Sequence, residues 1–195
     1  MIYQVIEVFQ SIQGEGFYMG TPCNFIRLAG CNLTCPWCDT ECRDVFICHE
    51  DEKTIVTQLD TSLPLTVITG GEPLLHNLRP LIEAIKAKFE CIVAIETNGT
   101  KSTRYLKDID GLWVTCSPKP QKDWEISKDC LYDELKYVID DEITLEKIKK
   151  DECFTWLQPE GSHMKESWVK CIKFANERPW QLRVGVQLHK IMEVR

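Results

Sequence analysis

Apolar residues along this chain fall into short, nearly unbroken runs that stop at glycine, proline or asparagine. "CNFIRLAG" (23–30) ends in Gly, "PLTVITGG" (64–71) in a Gly pair, "CIVAIETNG" (91–99) in Asn-Gly and "GLWVTCSP" (111–118) in Pro. The runs "ELKYVID" (134–140), "CFTWLQPE" (153–160) and "QLRVGVQLH" (181–189) follow the same plan. Such runs are what strands covered on both faces look like, and they predict the strands of a parallel sheet.

Between the runs the apolar period lengthens to that of a helix. In "NLRPLIEAIKAKF" (77–89) Leu78, Leu81, Ile82, Ile85 and Phe89 make one stripe, with Asn77 as the expected N-cap and Pro80 near the start. A short helix is expected at "TLEKIKK" (144–150), capped by Thr144. A longer one is expected at 164–177, with Met164, Trp168, Cys171, Ile172 and Ala175 on one side. Weaker helical patterns cover 51–60 and 102–109. Strand and helix in alternation predict an α/β fold of βα units around a parallel sheet. A closed barrel of eight units takes about 250 residues. The 195 residues here therefore predict one domain, 1–195, folded as an incomplete TIM-like βα barrel of about six units. In such folds chemistry gathers at the C-terminal ends of the strands. "TGGEP", "ETNG", "CSPK", "QPEG" and a cysteine-rich loop all fall there.

Composition narrows the function. A net charge of −7 argues against a broad nucleic-acid footprint and leaves room for a small anion held by a few basic residues. The N-terminal "MIYQVIEVFQ" has neither a basic segment nor a long apolar run, and no stretch is apolar for the length of a membrane span. Neither a leader nor a membrane partner is expected, and a cytoplasmic location is. Eleven cysteines in that setting point to metal or redox chemistry rather than disulfides.

Three of them, Cys31, Cys35 and Cys38, form C-x3-C-x2-C in "GCNLTCPWCDT" (30–40). Three thiolates are one short of a tetrahedral zinc site and one short of the four that an iron–sulfur cluster normally takes. On spacing alone three readings stay open. They are a cluster with one iron left for another ligand, a zinc site completed by Cys42 with Cys48 nearby, and a chance group of thiols. Cys23, Cys91, Cys116, Cys130, Cys153 and Cys171 lie in apolar runs and read as core.

The cysteine spacing after the first strand, Trp37 just before the third cysteine, and "TGGEP" (69–73) at a later strand end together resemble the radical S-adenosylmethionine (SAM) enzymes. The resemblance narrows with "SIQGEG" (11–16), "FIRLAGCNLTCPWCDT" (25–40), "ETNGT" (96–100), "SPK" (117–119), "QPEG" (158–161) and "RVGVQLHK" (183–190). In this order, and across essentially the whole chain, they look like the 7-carboxy-7-deazaguanine synthase family. That family converts 6-carboxy-5,6,7,8-tetrahydropterin to 7-carboxy-7-deazaguanine, with loss of ammonia, on the route to 7-deazapurines such as the queuosine precursor.

The resemblance implies a 4Fe-4S cluster on Cys31, Cys35 and Cys38 within a loop at 31–44, with SAM on its open iron. It implies Mg2+ held by Thr40. SAM contacts carry over to Trp37, Cys38, Asp39, Gly71, Glu96, Ser117, Pro118, Lys119 and Gln158, with Pro159 beside the adenine. Substrate contacts carry over to Ile12, Gln13, Gly14, Glu15, Arg27 and Thr69, and to Gln187 and His189, which are expected to alternate on the last strand. A flavodoxin- or ferredoxin-like reductant and a homodimer are implied as well. The nearest rival is a glycyl-radical-activating enzyme, which has no use for a pterin pocket. A zinc-stapled binding module would leave the glycine-rich strand ends unexplained.

Overall fold

The computed structural model describes residues 1–38, 48–161 and 164–194. Its centre is one nine-stranded sheet. Seven strands run parallel and in sequence order: β2 (Pro22–Leu28), β4 (Leu65–Gly70), β5 (Ile92–Thr97), β6 (Leu112–Cys116), β7 (Glu134–Ile139), β8 (Phe154–Pro159) and β9 (Leu182–Val184). Two antiparallel strands extend it beyond β2: β1 (Ile2–Ile12), then β3 (Cys48–Asp51) at the edge. Among the described residues no pairing joins β3 to β9, so the sheet curls without closing. This is the incomplete barrel that the sequence predicts, with six crossovers between its parallel strands.

Among the described residues, three crossovers carry an α-helix: α1 (Glu52–Thr57) before β4, α2 (Arg79–Lys88) before β5, and α3 (Met164–Glu177) before β9. The α2 stripe is as expected, with Leu78, Leu81, Ile82 and Ile85 buried and Phe89 packed beside them. Leu78 takes the cap position, and Asn77 still accepts from the Arg79 N–H at 3.3 Å.

The helices expected at 102–109 and 144–150 are corrected to single 3-10 turns, Arg104–Leu106 and Leu145–Lys147. Short helices cannot repay nucleation unless tertiary contacts do so, and here those contacts hold other geometry. The Arg178 guanidinium donates to the Leu145 and Ile148 carbonyls, each at 2.9 Å, in place of helical N–H groups. Thr144 makes no side-chain cap. In α3 the buried side is also rotated from the predicted one. Ser167, Cys171 and Phe174 face the sheet, while Trp168 and Ile172 point outward at 36% and 49% exposure. The Met164 side chain lies outside the described residues.

The sequence reading missed β1 and β3. A bulge between Val5 and Glu7 breaks the alternation of β1. Tyr3 and Val5 pack outward against the helices, and beyond the bulge Val8 takes over that side while Phe9 turns inward. The period of two changes phase mid-strand, which hides the strand from a pattern search.

The sheet's two faces also differ more than continuous apolar runs suggest. Outward residues such as Ile26, Ile68, Val93 and Ile95 form one core with α1 and α2, while Leu135, Tyr137 and Leu157 form another with α3. Inside, Phe9, Cys23, Phe25, Leu65, Val67 and Ala94 make a small apolar base. Above it the register sets a polar belt: Glu7 beside Arg27, Arg27 beside Thr69, then Glu96 beside Thr115 and Thr115 beside Glu134.

Candidate active site

Glu7, Arg27, Thr69 and Glu96 of this belt line a cavity of about 1120 Å³ that opens at the C-terminal ends of the parallel strands. Cys31, Cys35 and Cys38 line one side, in a loop that leaves β2 at Gly30, whose φ is 84°. Side-chain amides tie that loop to its surroundings. Asn98 Nδ2 donates to Asn32 Oδ1 at 2.9 Å, and Gln121 Nε2 to the Thr34 carbonyl at 3.0 Å. Trp37 donates to Asp140 Oδ2 at 3.0 Å and lies under the Lys119 ammonium. Asp39, Thr40 and Cys42, and with them most of the loop's second half, lie outside the described residues.

The glycine pair ending β4 serves this loop directly. A Cβ on Gly71 would stand 2.1 Å from the Gly30 carbonyl, and one on Gly70 would stand 2.0 Å from the Leu28 carbonyl. With no side chains there, the Gly71 and Glu72 N–H groups reach the Leu28 and Gly30 carbonyls at 3.1 and 2.9 Å. Glu72 is wholly buried and accepts from Leu74 N–H, Thr97 hydroxyl and Asn98 N–H. "TGGEP" is thus bonded to both the cysteine loop and "ETNG". Burial pushes the Glu72 carboxyl up, against the pull of those three donors.

The donor set fits an iron–sulfur cluster. The three thiols lie along one wall of a roomy cavity, and the Leu33 N–H points at Cys31 Sγ from 3.4 Å. Among the described residues no three His, Cys, Asp or Glu side chains meet at a point that would hold one metal ion. A cluster that takes one cysteine per iron does not require such a meeting. Burial raises the Cys35 thiol, and the Lys119 charge offsets only part of that rise. Lys119 donates to Ser117 Oγ at 2.6 Å, and burial lowers its own pKa. Every expected core cysteine is buried except Cys153, which is half-buried, and the described cysteines are all free thiols.

The opposite wall is built from the loop after β1 and the C-terminal segment. Ile12, Gln13 and Glu15 line the cavity with Arg27, Thr69, Glu96, Gln158, Gln187 and His189. Gly14 and Pro118 lie behind the wall rather than on it. Gly14 is pressed so closely on His189 that a Cβ would stand 1.9 Å from Nδ1. Contrary to the expectation from the sequence, Gln187 and His189 do not alternate on a strand. β9 ends at Val184, and Gln187 instead caps the short α4 (Leu188–Ile191), with Leu188 N–H bonded to the Gly14 carbonyl. Gln187 Nε2 donates to Glu15 at 2.8 Å.

Glu7 and Lys136 went unnoticed in the sequence. Glu7 holds Arg27 Nε at 2.8 Å. Lys136 is 8% exposed and pairs with Glu15 at 2.5 Å and Glu96 at 3.5 Å. The available signal was a pair of charges, Glu134 and Lys136, two apart inside an otherwise apolar strand run.

An open βα barrel whose strand ends carry a three-cysteine loop, a glycine turn and a polar cavity defines a radical SAM fold. The comparisons agree. The chain is 37% identical over 207 residues to the 7-carboxy-7-deazaguanine synthase of Aquifex aeolicus, covering 97% of this chain and 93% of that protein. It is 36% identical over 199 residues to the synthase of Bacteroides thetaiotaomicron, covering all of both chains. The crystal structure of QueE from Escherichia coli superposes with a TM-score of 0.78 at 26% identity, over 97% of this chain and 95% of that one. No protein-family model matches the chain. The chain belongs to the 7-carboxy-7-deazaguanine synthase family. Among its described residues, no helix is long and apolar enough to cross a membrane.

Proposed function

We propose that this chain contracts the ring of 6-carboxy-5,6,7,8-tetrahydropterin to give 7-carboxy-7-deazaguanine, with release of ammonia, in 7-deazapurine synthesis. One observation carries the reading. The cysteine loop, the glycine turn and, Gly14 apart, the residues assigned to the pterin open onto a single cavity large enough for a cofactor and a small heterocycle.

Cys31, Cys35 and Cys38 would hold the cluster. Gly71, Ser117, Lys119 and Gln158 border the space that SAM would take, with Trp37 beside it. When bound, the cluster and SAM supply the carbon radical that abstracts a substrate hydrogen. The protein's own task is binding and orientation. Arg27, held at Nε by Glu7, presents a guanidinium fork suited to a carboxylate. Gln13, Glu15 and Thr69 offer polar groups to the heterocycle, and Gln187 and His189 line the cavity from the C-terminal segment. Mg2+ on Thr40 with the substrate carboxylate, a flavodoxin- or ferredoxin-like reductant and a homodimer belong to the same proposal. They rest on resemblance alone.

The test is anaerobic reconstitution, measurement of iron, sulfide and zinc, and then addition of SAM, reductant, Mg2+ and the carboxypterin. Product and ammonia are expected in equal amounts. Cys35→Ser should lose the cluster absorbance, and Cys42→Ala should keep it. Stoichiometric zinc without that absorbance overturns the class, and an intact cluster that leaves the pterin untouched overturns the substrate.

A further inference from the structure

The resemblance assigns Glu96 to SAM, yet its bonds point the other way. Its Oε1 accepts from Gln13 Nε2 at 3.2 Å and its Oε2 from Thr69 Oγ1 at 2.9 Å. Its counter-ion is Lys136, on the neighbouring wall of the barrel. Lys136 projects inward from β7, in the alternation that also turns Glu134 and Val138 to the inside. The same ammonium meets Glu15, whose other oxygen accepts from Gln187. Two carboxylates thus share one buried ammonium on the pterin side of the cavity.

We propose that Lys136 is a positioning residue for substrate. Its ammonium pairs with both carboxylates and holds them at a set spacing, so that Glu15 and Glu96 both accept hydrogen bonds from the amino and ring N–H groups of the pterin. The inference rests on the pterin reading above. Two carboxylates this close, without a cation between them, would retain a proton on one, and a protonated carboxyl loses acceptor capacity.

The electrostatics agree with the geometry. Burial alone would drive the proton off Lys136, but the charges of Glu15 and Glu96 outweigh it and raise the pKa. Burial likewise opposes ionisation of Glu96. Lys136 foremost, with the bonds from Thr69 and Gln13, reverses that and leaves its pKa lowered.

Other charged and titratable groups surround the pair. Glu134 on the same strand is bonded to Thr115 and Trp156. Lys119, from the loop after β6, repels Lys136. Cys23 of β2 feels the Glu96 charge, and burial holds that thiol up at about 12. His189 of α4 lines the same cavity.

The experiment measures equilibrium affinity for the carboxypterin by calorimetry. It uses the reconstituted, SAM-loaded protein without reductant, so no turnover occurs, from about pH 6 to about pH 9. Relative to wild type at each pH, Lys136→Met should bind about tenfold or more weakly at the acid end. It should recover toward wild type at the alkaline end, as the retained proton leaves. Lys136→Arg, which keeps the charge, should follow the wild-type profile, and Lys136→Gln gives the same readout if the methionine variant does not fold. A loss equal at every pH, or no loss, overturns the role of Lys136 alone. A wild-type protein that does not bind the pterin overturns the substrate reading and this inference with it.

Discussion

Glu72 shows how one side chain can hold a site it does not line. Its carboxylate accepts three bonds from two strand ends. Glu72→Gln is nearly isosteric but turns an amide NH2 toward donors. Each orphaned buried group costs about 1–3 kcal/mol. The variant should lower the urea midpoint accordingly, with increased amide exchange at 96–100. Gly71→Ala tests the neighbouring contact. The added methyl must displace the Gly30 carbonyl, and overpacking of this kind costs about 1–3 kcal/mol. Because the displaced backbone leads into Cys31, reconstituted iron per chain should fall as well. Normal iron content and unchanged stability would show that the loop has room to spare.

At the scale of elements, connections were harder to foresee than strands. α2 was legible because its stripe and its burial coincide. The segment 144–150 was not, because Arg178, some thirty positions away, takes its carbonyls. Arg178→Ala should therefore raise amide exchange across 144–149 selectively and cost about 1–3 kcal/mol of stability. Recruitment of a regular α-helix there, read from increased helical circular dichroism, would contradict this account. The rotated face of α3 has the same origin. Its outward Trp168 and Ile172 fit a helical stripe well, but the sheet selects the narrower side through Ser167, Cys171 and Phe174. β1 illustrates the reverse case, in which one bulge hides a strand but sets Glu7 against Arg27 at the mouth of the cavity.

For the whole molecule, the open barrel brings the first and last segments of the chain together. Leu188 bonds to Gly14 and Gln187 to Glu15, so one wall of the cavity depends on both. Gln187→Ala should raise KM for the pterin several-fold while leaving cluster content and reductive SAM cleavage unchanged. An effect on SAM cleavage would place this wall on the cofactor side. The outward apolar residues of α3, with the fully exposed Trp180 and Val169 at 70% exposure, bear on the proposed homodimer. If that face is buried between copies, Val169→Glu with Ile172→Glu should yield a monomer by sedimentation velocity. A wild-type monomer, or a dimer that survives both charges, would remove this face from the assembly.

The sequence by itself determined the class of fold, the order of its parallel strands and most of the cavity wall. Strand period, turn residues and cysteine spacing are local, and in a βα barrel each strand end carries its motif to the same rim. What only the tertiary structure decided were the partners: Lys136 between Glu15 and Glu96, Glu7 on Arg27, and Glu72 joining two strand ends. The turn that moves Gln187 and His189 off the last strand was likewise decided there. These depend on which side of a curled sheet a charge faces and on what lies across the cavity. Such distances are set by closure of the barrel, not by spacing along the chain.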